Sequence, residues 1–327
     1  MFENTKLKRK RLQIARHTIS DILKEEGFKI TKRIKFGPRF FVAQGIKNGK
    51  ISLFKICLFT HSVDHDTNDN FSREISFLNF VGNSNLSFLK KSTPQVSAHG
   101  LEPRSWYVRE YLKGKAQNIK GGNVRFKKSF FNQKNLNWII KFFTSLQSIK
   151  RKRLPVDFQR LLYPPDFNKH LWIFIKLHLN KLDQYFKSPG ITKPIISRFK
   201  KYISLYNKSP QVLSHKEPYS CHFLKKENRF LLIDWENINW ANPAHDPVVI
   251  WMRAYEHQKW QNTLYQRFRN RYQDQKNFDL MWTMEVFIQS FFNVISYQFY
   301  HDQKDLEGLT KFSDKKTKEI LNNDFKI

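Results

Sequence analysis

Apolar residues alternate between helical and strand spacing along this chain. Over residues 1–26, Leu12, Ile14, Ile19, Ile22 and Leu23 recur at helical spacing on a basic background, and Gly27 supplies a stop. From Phe28 to Phe59 the pattern is that of strands: Lys29–Phe36, then Arg39–Ile46 after a Gly37-Pro38 turn, then Ile51–Phe59. The second and third are joined by Lys47-Asn48-Gly49-Lys50, whose Asn-Gly pair favours a two-residue hairpin. A polar loop, Thr60–Asn70, leads to the amphipathic run Phe71–Leu78, which predicts a helix. Ser105–Tyr111 predicts a further strand, closed by Leu112-Lys113-Gly114.

Beyond Gly114 the chain turns helical. Lys115–Phe131 is a basic loop, readable as a flexible insertion or as part of a substrate site. Asn137–Ile149 has helical periodicity and ends in the cluster Lys150-Arg151-Lys152-Arg153, either a solvated helix end or a docking patch for an anion. Asp166–Phe186 and Lys193–Asn207 predict two helices parted by Pro189-Gly190. Short strands follow at Cys221–Leu224 and Phe230–Ile233, with Lys225–Arg229 as their turn. Val248–His257, Trp260–Asp274 and Phe278–Tyr300 predict helices, with Trp251, Trp260 and Trp282 in their core. Residues 302–327 are polar and are expected to fray. The resulting division is a basic helix over 1–27, a strand-rich lobe over 28–114, a larger helical lobe over 115–301 and a polar tail over 302–327.

Composition sharpens this picture. The 327 residues are 40% hydrophobic and 16% aromatic, enough for a sizeable core. The 58 Lys and Arg against 28 Asp and Glu give a net charge of +30, which favours polyanionic partners: nucleotides, nucleic acid or an anionic membrane surface. Genomic bias toward Lys codons is the competing source of the excess, although it leaves the scarcity of acids unexplained. Cys57 and Cys221 make no disulfide framework, which fits a reducing cytoplasm. The start lacks the apolar run of a signal peptide, and Val286–Tyr300 is broken by Gln289, Ser290, Asn293, Ser296 and Gln298, too polar to span a bilayer.

The candidate chemistry gathers in Val212–Asp246. A hairpin brings the residue before its first strand and the residue after its second to one end, so Glu217 and Asp234 converge. Paired carboxylates there suit a general base and a metal ligand. Lys55 stands in the apolar strand Leu53-Phe54-Lys55-Ile56-Cys57, where a lone cation either has a charged partner or lies on the solvated face of an edge strand. Glu74 lies near the start of the next predicted helix, either as partner of Lys55 or as a first-turn acid complementing the helix dipole.

These segments resemble the aminoglycoside phosphotransferase and choline kinase family. His215-Lys216-Glu217 stands where that family has H-G-D, and His222-Phe223-Leu224 where it has N-I-L. Ile233-Asp234-Trp235-Glu236 matches its metal segment I-D-W-E, and Asn242-Pro243-Ala244-His245-Asp246 resembles its D-P-x-x-D. Arg109-Glu110-Tyr111-Leu112-Lys113-Gly114 is similar to its adenine-binding hinge. The resemblance covers roughly residues 28–260. It implies an α+β, bilobal protein-kinase-like fold, with a small antiparallel sheet in the N-lobe and a mainly helical C-lobe. It implies transfer of the ATP γ-phosphate to a hydroxyl of a small molecule, with Mg2+ or Mn2+. Lys55 would then bind the α- and β-phosphates with Glu74 as its partner on the cofactor side, and the backbone of Glu110, Tyr111 and Leu112 would bind the adenine. His215, Glu217 and Asp234 would be catalytic, with Glu217 as base; Asp234 and His222 would take the metal, and Asp246 would brace the loop.

Two departures matter. Glu217 replaces an Asp and adds one methylene, a shift of about an ångström that can reduce a rate on the order of a hundredfold. His222 replaces an Asn, and its imidazole suits magnesium poorly. The phosphate turn has Gly37 alone. The alternative to a working kinase is therefore a pseudokinase that binds a nucleotide or an anionic partner without turnover. A helical nucleic-acid-binding protein is a third reading, resting on charge alone.

Overall fold

The structure, a computed structural model, describes residues 17–299 and 306–325 except 38, 61, 63, 121, 123, 163–174, 227 and 228. The helical positions expected at Leu12 and Ile14, and the first part of the helix expected from Asp166, lie outside the described residues. The chain begins with α1 (residues 17–25), β1 (Lys29–Phe36), β2 (Phe40–Lys47), β3 (Lys50–Cys57), α2 (His65–Asn83), α3 (Ser87–Ser92), β4 (Val96–Gly100) and β5 (Trp106–Glu110). β6 (Lys115–Ala116), α4 (Gln133–Gln147), α5 (Val156–Leu161), α6 (residues 175–178), α7 (Leu182–Tyr185) and α8 (Thr192–Lys208) follow. Next come β7 (Val212–Ser214), β8 (Phe223–Lys226), β9 (Arg229–Leu232), β10 (Asn239–Ala241), α9 (His245–Arg253), α10 (Gln258–Arg269), α11 (Gln275–Tyr297) and α12 (Leu306–Leu321). Two compact units result. One takes in the described residues up to Lys115 together with Leu154–Leu162 and Lys226–Ile238; the other holds the rest.

The first unit is built on a five-stranded antiparallel sheet in the order β1-β2-β3-β5-β4. Asn48 and Gly49 both have positive φ, 50° and 73°, as the hairpin turn between β2 and β3 requires. Side chains alternate across the sheet. On β3, Phe54 and Ile56 join Phe28, Phe41, Val108 and α1's Ile19 and Ile22 in one cluster. Leu53 and Cys57 turn the other way, to Phe71 and Ile75 of α2. Both faces of β3 are covered, which explains its near-continuous apolar run. Gly45 is required by close packing, since a Cβ there would lie 2.3 Å from the Phe28 ring.

Helix α2 begins at His65 rather than Phe71, because Asp64 caps it by accepting from the Thr67 amide at 2.9 Å. The expected polar loop is correspondingly shorter. Glu74 is thereby well inside the helix, and its reading as a first-turn acid is corrected.

In the second unit β7 and β10 pair antiparallel, and helices form the core. Trp251, Trp260 and Trp282 are buried as expected, and the rings of Trp251 and Trp282 meet edge to face at 6.0 Å. The strands flanking Lys225 shift from expectation: Ser220–His222 forms a 3-10 turn, and β8 begins only at Phe223. The expected fraying tail is also corrected. α12 is a helix whose buried face carries Leu306, Leu309, Ser313, Thr317 and Ile320. Small polar groups stand in for apolar ones on that face: Thr317 Oγ1 donates to the Ser313 carbonyl at 3.0 Å, and Asn293 Nδ2 to Ser313 Oγ at 3.1 Å. A count of apolar residues passes over such a face. Among the described residues no helix is long and apolar enough to cross a membrane.

Phe54 is fully buried, with the Phe28, Phe41 and Trp106 rings 5.8, 6.3 and 6.3 Å away. Phe54→Ala is expected to destabilise the first unit by about 3–5 kcal/mol, while Ile46→Ala, at an exposed position, shifts it by less than about 0.5 kcal/mol. Urea unfolding of the variants checks both.

Candidate active site

Lys55 pairs with Val42 on β2 and Tyr107 on β5, so its side chain leaves the sheet on the α2 side. Its solvated edge-strand reading is corrected: the side chain is 12% exposed. Nζ lies 3.0 Å from Glu74 Oε2 and 2.5 Å from Glu236 Oε1, and 4.5 Å from the centroids of the Phe40 and Phe71 rings. Burial alone pushes the ammonium toward neutrality, but Glu74 and Glu236 more than reverse that, and the pKa stands well above the ordinary lysine value. Glu74 moves up as well: burial raises it, Lys55 draws it back, and Glu236 and Asp234 raise it again. One ammonium thus pairs with two carboxylates, and Asp234 adds its field from farther off.

The geometry rests on Trp235. It is fully buried, its indole N–H donates to the Leu232 carbonyl at 2.9 Å, and its ring lies against Phe77 at 4.1 Å. Phe77 follows Glu74 by three residues and shares its face of α2. The contact that anchors Trp235 therefore also sets Glu74 against the flanking acids. One oxygen each from Glu74, Asp234 and Glu236 lie within 4.8 Å of one another, a set of hard donors that fits a divalent cation such as magnesium. Asp234 has φ of 68°, a left-handed backbone that a non-glycine residue holds only under constraint. A buried polar chain continues to the hinge strand, where the Tyr107 hydroxyl donates to Glu74 at 3.4 Å and Arg109 Nε to the Tyr107 oxygen at 3.2 Å. In the segment that resembles an adenine-binding hinge, the Glu110 and Tyr111 amides already donate to the Gln95 and Ile51 carbonyls, and the Glu110 carbonyl accepts from Arg109 at 3.1 Å. Leu112 is buried at its end.

The residues expected to form a catalytic loop lie in the second unit, hung from Asp246 at the start of α9. Asp246 accepts from Ser214 Oγ at 2.8 Å, from the His215 amide at 2.9 Å and from the Lys216 amide at 3.0 Å. Burial raises its pKa, with His245 and these donors opposing. His215 is fully buried beneath the loop. Lys216 has φ of 73° at the position where the resembling family has glycine, a conformation that costs on the order of 1 kcal/mol for a side-chain-bearing residue. It is held there from both sides, since its carbonyl faces His245 Nε2 at 3.2 Å. His245 Nδ1 in turn meets Glu285 Oε2 at 3.0 Å. Glu217 is half-buried, and its carbonyl accepts from the Tyr219 amide and from His222 Nδ1, both at 2.7 Å. One ring nitrogen of His222 is thus committed to shaping the loop. Cys221 and His222 share a 3-10 turn rather than a strand.

Sequence reasoning had paired Lys55 with Glu74, and the structure brings them together. Asp234 and His222 are the residues expected at a metal; within the first unit Asp234 stands beside Glu74 and Glu236. Missed altogether were Glu236 as a partner of Lys55, and Glu285. The latter was visible as a lone acid in the apolar run Met284-Glu285-Val286 of α11.

No protein-family model matches this chain, and a comparison with curated proteins likewise finds no match. Solved structures do match. The gentamicin complex of APH(2")-IIa aligns with TM-score 0.58 at 13% identity over 93% of this chain and 95% of that one. A thermostable mutant of aminoglycoside phosphotransferase APH(4)-Ia, with ADP and hygromycin B, aligns with TM-score 0.54 at 10% identity over 94% and 99%. The macrolide 2'-phosphotransferase MphH from Brachybacterium faecium aligns with TM-score 0.53 at 13% identity over 90% and 97%. The chain therefore has the bilobal, protein-kinase-like fold seen in aminoglycoside and macrolide phosphotransferases.

The buried acids of the loop support make a pH prediction. Burial would raise Glu285, but His245, Tyr206 and Lys216 overcome it, and its pKa is lowered. A carboxyl lowered in the folded state adds stability that is complete above its unfolded value, about 4.3, and is lost as pH falls through the folded one. Urea unfolding between pH 3 and 7 is expected to show a shallower acid-side loss in Glu285→Gln than in wild type.

Proposed function

We propose that this protein is an ATP-dependent phosphotransferase that moves the γ-phosphate to a hydroxyl of a small molecule. The observation that carries the reading is the buried Lys55 ammonium, held between Glu74 of α2 and Glu236 of the I-D-W-E segment within a kinase-like fold. A buried lysine kept charged and fixed by two carboxylates is what nucleotide phosphates need as a counter-charge. Structural neighbours bound to nucleotide support the same reading. In it, Lys55 binds the α- and β-phosphates, and the chain around Glu110, Tyr111 and Leu112 receives the adenine, Leu112 being the residue whose amide is not already spent on the sheet contacts described above. Asp234 and Glu236 would hold Mg2+ or Mn2+, which would neutralise charge on the phosphates. Glu217 accepts the proton of the acceptor hydroxyl, with His215 fixing the loop from beneath and His222 holding the Glu217 carbonyl.

A second reading is favoured by Glu217, His222 and Lys216, all of which depart from the resembling motif. It is a pseudokinase that keeps the nucleotide residues of the first unit and has lost turnover. The two readings share those residues and part at the base.

A thermal shift with ATP and Mg2+ or Mn2+ is expected to raise the melting temperature of wild type and to leave Asp234→Ala unmoved; no rise with either metal sinks the phosphotransfer reading and leaves only a pseudokinase that binds an anionic partner other than nucleotide. Phosphate transfer, or hydrolysis of ATP in the absence of acceptor, is expected to fall at least about a hundredfold in Glu217→Gln. In Glu217→Asp, which restores the shorter carboxylate, activity is expected to be retained or to rise. Activity indifferent to both changes removes Glu217 as base.

A further inference from the structure

Sequence alone leaves the basic loop after the hinge as insertion or substrate site. Its described residues are folded. Asn118 and Phe126 form a bridge, the Ile119 amide donates to the Arg125 carbonyl at 3.0 Å, and the Lys127 amide to the Gln117 carbonyl at 2.8 Å. Within the second unit this loop and the turn before α10 line an open cleft of about 460 Å³, formed by Ile119, Arg125, Phe126, Lys128, Glu256 and His257. The volume is that of a site for a small organic molecule.

The lining has two parts. Ile119 and Phe126 are an apolar floor; Phe126 is 2% exposed and stacks on Phe130 at 4.0 Å. The rest is charged. Arg125 and Lys128 are permanent cations, and Glu256 is ion-paired with Arg125. The His257 ring stacks on Phe131 at 4.0 Å. Burial lowers its pKa, and Lys128 and Arg125 lower it further against Glu256, which keeps it neutral near pH 7. The cleft therefore carries more positive than negative charge, and its guanidinium already grips a carboxylate. An arginine fork recognises carboxylate and phosphate with two parallel hydrogen bonds, so an incoming anion competes with Glu256 for it. The floor also reaches the catalytic loop, since the Phe126 ring packs on Phe223 at 5.4 Å, the residue after His222.

We infer that this cleft takes an organic anion, a carboxylate or phosphate head on an apolar or aromatic body, held by Arg125 and Lys128 with Glu256 displaced. Resting on the phosphotransfer reading, the acceptor hydroxyl is then carried by an anion. That sets the chain apart from neighbours bound to gentamicin or hygromycin B, because aminoglycosides are polycations that a cationic cleft repels.

The test is calorimetric titration of the full chain with 4-(hydroxymethyl)benzoate and with phenyl phosphate. Neutral 1,4-benzenedimethanol and gentamicin are the controls. One or both anions are expected to bind at least about tenfold more tightly than either control, and which of them binds assigns the head group. Arg125→Gln is expected to weaken the anion about tenfold or more. Glu256→Gln is expected to tighten it severalfold, because the competing carboxylate is gone, a gain that a merely structural Glu256 would not give. Asp234→Ala leaves anion binding unchanged. Circular dichroism establishes that each variant is folded. Equal binding to wild type and Arg125→Gln, weaker or unchanged binding to Glu256→Gln, a preference for gentamicin, or no binding of either anion overturns the inference. ADP with Mg2+ is titrated in parallel. Loss of that binding with the anion pattern intact counts against the phosphotransfer reading alone and leaves the anion site standing.

Discussion

Lys55 is the charge on which the first unit depends. Removing an ammonium from water is costly, and two buried carboxylates offset that only when the geometry is tight. Here the side chains of Lys55, Glu74 and Glu236 are 12%, 3% and 13% exposed. The pairing binds together a strand, a helix and the segment following β9, none adjacent in sequence. Deleting the lysine would strand at least two carboxylates in a low-dielectric site, a loss on the order of 3–5 kcal/mol. Aromatic rings complete the enclosure on Phe40 and Phe71, so the abundance of Phe in this chain serves the charge as well as the core.

Three acids around one ammonium leave the site short of positive charge. Burial is the main reason the pKa of Glu74 is raised; Lys55 opposes the rise, and the neighbouring Glu236 and Asp234 add to it. A divalent cation on Asp234 and Glu236 would relieve the same imbalance. The constrained backbone at Asp234, φ 68°, fits that view: residues held in sparsely populated conformations concentrate at sites of function.

Much of this was legible in the sequence because it is local. The hairpin is announced by Asn48-Gly49, and the kinase-like fold by the order of the motifs up to the I-D-W-E segment. Lys55 was visible as a cation with apolar neighbours. What escaped notice depends on distant packing. Glu236 meets Lys55 across 181 positions of chain, and no local pattern signals that. The start of α2 was misplaced because its first turns, His65–Asn70, are polar; a cap at Asp64 rather than periodicity sets the boundary. α12 escaped because Ser313 and Thr317 sit on its buried face.

The catalytic loop shows how a fold can persist at 10–16% identity to its structural neighbours. Asp246 grips the His215 and Lys216 amides, and His245 faces the Lys216 carbonyl. These contacts go to backbone groups, which every residue type except proline supplies in full. The loop can therefore keep its course while the side chains at Lys216 and Glu217 change. Even a left-handed position normally given to glycine can be filled by lysine when two amide bonds and a carbonyl contact constrain it, each bond worth about 0.5–1.5 kcal/mol against a strain of similar size. The shape of this segment is set by contacts to its backbone, so shape and side-chain identity are separable along it.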